Sequence, residues 1–253
     1  MRLKPEEFLK SPKAVTLTGM SGVGKTRLSA MLAHEGWHHY SCDYLIGTKY
    51  LRDALGLTAS DISKRDIGKL SAFIGKPGDP DKGGLDLAEY KRRQKLYYDA
   101  ECQSLRDLAA AMKEAGEVNF VNDSTGSLCE IRDEKLVDEV GRATLFVYIK
   151  ASEDEEKKVI DRARRTPKPM YFPPDRFDEW LATYMKQRNI GRVEDMEPDE
   201  FSRWVFKRLF EARLPKYQKL ADRYGVTIPS GTLKNVKTEK DFVNAVAAAL
   251  EKP

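Results

Sequence analysis

Short apolar runs of strand length alternate along this chain with longer stretches whose apolar positions recur at helical spacing. Ala14-Val15-Thr16-Leu17-Thr18 is the first such run. Leu28, Met31 and Leu32 then repeat with a helical period, and Gly36 marks where that helix should stop. Trp37 to Cys42 predicts another strand, residues 118–123 a further one ending in a carboxylate, and Thr144 to Ile149 the next. Val226-Thr227-Ile228 predicts the last strand. A helix should follow from Thr238 to Leu250, with Thr238 and Asp241 suited to an N-cap and an acidic third position. Between these elements, residues 75–84 hold four glycines and two prolines and predict a loop. A long amphipathic helix over Leu85 to Ala115 follows it. Phe201, Val205, Leu209 and Phe210 predict another helix after Pro198-Asp199. Strands alternating with helices imply an α/β fold, a parallel sheet with helices on both faces. Ligands bind such sheets at the carboxyl ends of the strands.

Composition narrows the picture. The 253 residues suit one large domain or a core domain with insertions. No apolar run approaches the roughly 20 residues of a membrane helix, so no membrane partner is expected. The N-terminal Met-Arg-Leu-Lys-Pro-Glu-Glu lacks the apolar centre of a signal peptide. Cys42, Cys102 and Cys129 are odd in number and far apart, which gives neither a disulfide framework nor a metal-ligand spacing. A reducing, cytoplasmic setting is the expectation. Lys and Arg total 44 against 40 Asp and Glu, a net +4. That excess neither identifies nor excludes a nucleic-acid binder, so clustering of the cations matters more than their sum.

The strongest chemical signal is Gly19-Met20-Ser21-Gly22-Val23-Gly24-Lys25-Thr26, which fits G-x-x-x-x-G-K-[ST] between a strand and a helix. Glycines let successive backbone N–H groups turn towards phosphate oxygens, and the helix N-terminus adds partial positive charge. In this motif Lys25 reaches the β- and γ-phosphates and Thr26 holds Mg²⁺, so ATP and Mg²⁺ are the expected cofactors. Asp123, at the end of its apolar run, suits the acid that assists Mg²⁺ in such sites. A helix cap or an Asx-turn would also suit an Asp before Ser-Thr-Gly. His38 and His39 are adjacent on a strand, face opposite ways and make a poor chelate, which favours packing roles.

With these residues in place, the chain resembles P-loop kinases of the shikimate, gluconate and nucleoside-monophosphate kinase branch. The resemblance implies a P-loop NTPase three-layer αβα sandwich in a single domain over 1–253. It further implies an acceptor-side insertion at about 47–115 and a lid and helical extension at about 160–217. Tyr40-Ser41-Cys42-Asp43-Tyr44-Leu45-Ile46-Gly47 resembles the second strand of shikimate- and gluconate-type kinases. There an acidic residue faces the γ-phosphate and handles the acceptor hydroxyl, a role that falls on Asp43, against the plainer reading of a capping Asp. Arg162, Arg164 and Arg165, with Lys168, put four cations within 162–169. The branch carries lid arginines at this position, whereas basic residues at a helix end also suit the helix dipole. The basic run Lys91, Arg92, Arg93 and Lys95 lies where the branch recognises its acceptor, and it is equally readable as a solvated face.

Gly-Lys-Pro-Gly-Asp-Pro before a basic helix, with Arg-Thr-Pro-Lys-Pro-Met-Tyr later, is also similar to phage P-loop kinases that phosphorylate 5-hydroxymethyluracil in DNA. That likeness implies an ATP-dependent kinase whose acceptor hydroxyl belongs to a DNA base. A small-metabolite or nucleoside kinase is the alternative, and a regulatory ATPase without an acceptor is the third reading.

Overall fold

A computed structural model of the chain describes residues 4–10, 12–57 and 68–251. The first residues of the N-terminal segment, and residues 58–67 of the expected insertion, lie outside the described residues.

Among the described residues five strands form the sheet: β1 (Ala14–Thr18), β2 (His38–Ser41), β3 (Phe120–Asp123), β4 (Leu145–Lys150) and β5 (Gly225–Pro229). All neighbours pair parallel, in the order β2-β3-β1-β4-β5. The helices are α1 (Pro5–Leu9), α2 (Lys25–His34), α3 (Cys42–Leu45), α4 (Gly68–Ile74), α5 (Leu87–Arg106), α6 (Leu108–Ala115) and α7 (Glu134–Ala143). There follow α8 (Glu153–Arg165), α9 (Pro174–Arg188), α10 (Pro198–Tyr224), α11 (Ser230–Lys234) and α12 (Glu239–Leu250). The helix expected over Leu85 to Ala115 is two, because Asp107 (φ −76°, ψ −8°) interrupts the helical run. The α12 cap forms as its sequence dictates, with Thr238 Oγ1 accepting from the Asp241 N–H and the Asp241 carboxylate accepting from the Thr238 N–H.

The chain divides into two compact units. The first holds residues 1–43, 102–156 and 213–253, and the second holds 44–101 and 157–212.

In the first unit the period of two along each strand separates two chemistries. Val15 and Leu17 of β1, Val121, Val147, Ile149, Val226 and Ile228 share one face. They pack with Leu28 and Leu32 of α2 and Phe242 and Val246 of α12. The opposite face is polar and aromatic. Thr16 Oγ1 lies 2.7 Å from Thr144 Oγ1, Asn122 Nδ2 donates to Thr16 Oγ1 at 3.1 Å, and Cys42 Sγ donates to Asn122 Oδ1 at 3.2 Å. Tyr40 Oη donates to the Ser104 carbonyl of α5 at 2.6 Å. On the same side Phe146 and Tyr148 meet Tyr224 and Tyr217 of α10, with ring centres 5.5 and 5.4 Å apart. Helices therefore cover both faces, and the α/β sandwich expected from the alternation of elements is the one observed.

The second unit is helical. Tyr90, Phe172, Phe177, Trp180, Tyr184, Phe201 and Val205 form one core cluster. A second gathers Ile46, Leu70, Phe73, Tyr97 and Tyr171. The aromatic stretch after residue 170 is thus packing. The glycine-rich loop is pinned by a Lys76–Asp199 ion pair and by the Asp79 N–H on the Met196 carbonyl at 2.8 Å. Among the described residues no helix is long and apolar enough to cross a membrane.

Phe242 is fully buried and meets Trp37 edge-to-face at 5.9 Å. Phe242→Ala should lower unfolding free energy by about 3–5 kcal/mol in urea titration, through lost burial and the cavity left behind.

Candidate functional site

Parallel pairing brings the carboxyl ends of β1, β2 and β3 to one edge, and three charged residues meet there. The loop from Gly19 to Gly24 joins β1 to α2, with φ of 137°, 90° and 104° at Gly19, Gly22 and Gly24. A Cβ on Gly19 would lie 2.8 Å from the Ile149 carbonyl oxygen, so both the bend and the close approach to β4 exclude other residues. Lys25 opens α2 and is buried. Its Nζ donates to the Gly19 carbonyl at 2.8 Å and to the Met20 carbonyl at 3.4 Å. Met20 is buried, Val23 is half-buried, and Ser21 and Thr26 are exposed at the loop.

Asp123 ends β3, in register with Leu17 of β1 and Ser41 of β2. Its Oδ2 accepts from Ser29 Oγ of α2 at 3.2 Å and lies 3.9 Å from His39 Nε2. Asp43, expected at the carboxyl end of a strand, lies there, two residues past the end of β2 and in the first turn of α3. Burial raises its carboxyl above the ordinary value, opposed by Lys25 and reinforced by Asp123. Burial likewise lowers the Lys25 ammonium, while Asp123 and Asp43 pull it back up. The three charges sense one another at a poorly solvated edge.

Sequence reasoning missed a second charged cluster close enough to act on Lys25. Arg213 of α10 is buried, and its Nε donates to Glu130 Oε1 at 3.2 Å. Lys216 donates to Glu130 Oε2, and Tyr217 Oη to the Gly126 carbonyl. Arg213 lowers the Lys25 ammonium electrostatically. Burial pushes the neighbouring Cys129 thiol up to about 12, which leaves it inert as a nucleophile. The signal available was the spacing of Arg213, Lys216 and Tyr217, which puts them on one helix face. Their partner Glu130 is remote in sequence.

The turns after β4 and β5 are also tied together. Arg27 of α2 donates to the carbonyls of Leu233 and Val236, at 2.5 and 3.1 Å. Glu155 accepts from the Ser152 N–H at 2.8 Å and also from Ser230 Oγ and Lys234 Nζ. Those partners, Lys234 first, hold its carboxyl down at about 2.

The remaining expected residues lie in the second unit. Lys91 pairs with Asp178 at 2.7 Å, and Arg92 and Arg93 each reach Glu89 at 2.6 Å. Arg93 also donates to the Phe73 carbonyl at 3.0 Å, and Lys95 pairs with Asp99 at 2.5 Å. Every cation of that run therefore has a carboxylate partner. Arg162, Arg164 and Arg165 are exposed at the end of α8. Arg164 lies 3.7 Å from Asp161, while Arg162 and Arg165 have no acidic partner among the described residues.

The residues of the first unit fit a nucleotide and its cation. A buried lysine after the loop donates to two loop carbonyls, and among the described residues Thr18 Oγ1 and His39 Nε2 are buried without a hydrogen-bond partner. No group of three or more His, Cys, Asp or Glu suited to a metal occurs among the described residues.

No family model matches the chain and no curated protein matches it. Among solved structures, the chain is similar to a shikimate kinase from Acinetobacter baumannii in complex with shikimate. Identity is 15%, TM-score 0.43, with 88% of this chain and 86% of that one covered. It is similar to a shikimate kinase from Bacteroides thetaiotaomicron at 15% identity and TM-score 0.43, over 94% of this chain and 98% of that one.

Two stability measurements check these electrostatics. With its pKa raised, Asp43 keeps a proton in the folded state that the unfolded chain has already lost, so stability falls as pH rises through that window. Asp43→Asn should therefore raise Tm at pH 7 in scanning calorimetry, and the gain should shrink as pH falls towards 4. Glu155 is the opposite case, its contribution complete above about 4.5 and lost as pH falls towards about 2. The stability gap between the protein and Glu155→Gln should close over that interval.

Proposed function

We propose that this chain is an ATP-dependent phosphotransferase that moves the γ-phosphoryl group to the hydroxyl of a small acceptor. The observation that carries the reading is the placement of Lys25, directly after a glycine-bent loop, and of a half-buried Asp43 of raised proton affinity at the carboxyl ends of β1 and β2. A cation placed for phosphate beside a carboxylate able to take a proton is what in-line transfer from ATP to an alcohol requires.

In this reading the loop N–H groups and Lys25 bind and orient the phosphates. Thr26 and Asp123 would hold Mg²⁺, which when bound screens the charge of the β- and γ-phosphates. Asp43 accepts the proton of the acceptor hydroxyl as its oxygen bonds to the γ-phosphorus. The bond from that phosphorus to the bridging oxygen breaks, ADP departs and the proton passes on to solvent. Arg162, Arg164 and Arg165 are the cations we assign to neutralising the phosphoryl group in transfer. The small acceptor is preferred over DNA because Lys91, Arg92, Arg93 and Lys95 are each engaged by a carboxylate. A polyanion binding there would compete with these partners.

The test is transfer of labelled γ-phosphate from ATP to a panel of polyols, hydroxy acids, nucleosides and hydroxymethylated DNA. Label on a small hydroxyl compound is expected. Label on the DNA alone would move the acceptor to nucleic acid, and hydrolysis with no labelled acceptor would leave a regulatory ATPase. Lys25→Ala should abolish ATP binding in calorimetry. Asp43→Asn should bind ATP and lose transfer by about 10²–10⁴-fold.

A further inference from the structure

His38 and His39 are adjacent on β2, and their alternation sends them to opposite faces of the sheet. His38 stacks on Phe120 with ring centres 5.1 Å apart. His39 is in register with Val121 of β3, so its ring lies on the α2 face, the face that also carries Asp123. The ring is partly shielded, its Nε2 is closed off from solvent, and that nitrogen has no hydrogen-bond partner among the described residues. The charged atom it faces is Asp123 Oδ2 at 3.9 Å, too far for a direct hydrogen bond. The same oxygen already accepts from Ser29 Oγ at 3.2 Å. Asp123 therefore has a donor on α2 in place, and on β2 a second polar atom aimed at it across a gap.

A polar atom shut away from water without a partner is costly, and such atoms persist where a ligand or a small movement completes them. We propose that His39 is a positioning residue of the cation-nucleotide site. Its Nε2–H and the Ser29 hydroxyl together aim the Asp123 carboxylate, and the His39 bond closes, directly or through one water, when the loop is filled. This inference rests on the nucleotide reading above and extends it to a residue outside the loop motif. The arrangement follows the general rule that a carboxylate working at a cation is itself held by hydrogen bonds from a surrounding shell. It also gives chemical content to a histidine that its strand neighbour, packed on Phe120, does not share.

Calorimetric titration with a non-hydrolysable ATP analogue, with Mg²⁺ and again with EDTA, separates the cation-dependent part of binding from the rest. The variants are His39→Leu, which keeps bulk and removes the donor, and His39→Gln, whose amide nitrogen can stand where Nε2 stands. His39→Leu should weaken Mg²⁺-dependent binding about 10-fold or more and leave binding in EDTA unchanged, and His39→Gln should recover most of the loss. Melting temperatures within a few degrees of the parent show that both variants fold. Equal Mg²⁺-dependent affinity for parent and His39→Leu would overturn the proposal. So would a His39→Gln variant no better than His39→Leu, or a loss in EDTA as large as that in Mg²⁺. A parent protein that binds no nucleotide in either condition would remove the phosphotransferase reading, and this role of His39 with it.

Discussion

Lys25 shares with the carboxylates of Asp43 and Asp123 an edge where water is scarce, and the first unit is arranged around that crowding. Each charge alone would be expensive to hold out of water. Together they are sustained by the loop carbonyls on Lys25, by Ser29 on Asp123 and by the opposing signs of their neighbours. The raised proton affinity of Asp43 and the lowered one of Lys25 are two sides of the same burial. A parallel sheet makes the crowding possible, since it alone points the ends of β1, β2 and β3 the same way.

The polar face of the sheet has its own part in this. Thr144 just before β4, Thr16 of β1, Asn122 of β3 and Cys42 at the start of α3 are linked by side-chain hydrogen bonds. Cys42 immediately precedes Asp43, so the network ends one residue from the carboxylate. A sheet sealed with aliphatic residues on both sides could slip in register at modest cost. Here a slip would strand a series of buried hydroxyls and an amide, and that fixes where each strand ends.

What could be read from the sequence follows the range of the interactions. The loop at Gly19–Thr26 and the cap at Thr238 are written in consecutive residues, and both form as read. Strand order and the Arg213–Glu130–Lys216 cluster join segments far apart, for which no local pattern exists. Asp43 is legible as a residue at the carboxyl end of β2, but the four-residue helix that carries it is not, because so short a helix leaves no periodic signature. The basic run at 91–95 is instructive in a different way. Glu89 precedes Arg92 and Arg93 by three and four positions and Asp99 follows Lys95 by four, so most of its neutralisation was visible as helical spacing. Only the Lys91–Asp178 pair required the fold.

The strand order has a consequence for the chain while it is being made. β1 occupies the middle of the sheet, yet it is synthesised before either neighbour, β3 at Phe120–Asp123 and β4 at Leu145–Lys150. Until those segments leave the ribosome, an apolar strand stands with both of its edges unpaired beside a helix that cannot cover them. Synthesis at roughly 5–20 residues per second makes that interval many seconds long. The nascent chain is open to edge-to-edge association throughout it, and the loop that holds Lys25 cannot take its final shape before it ends.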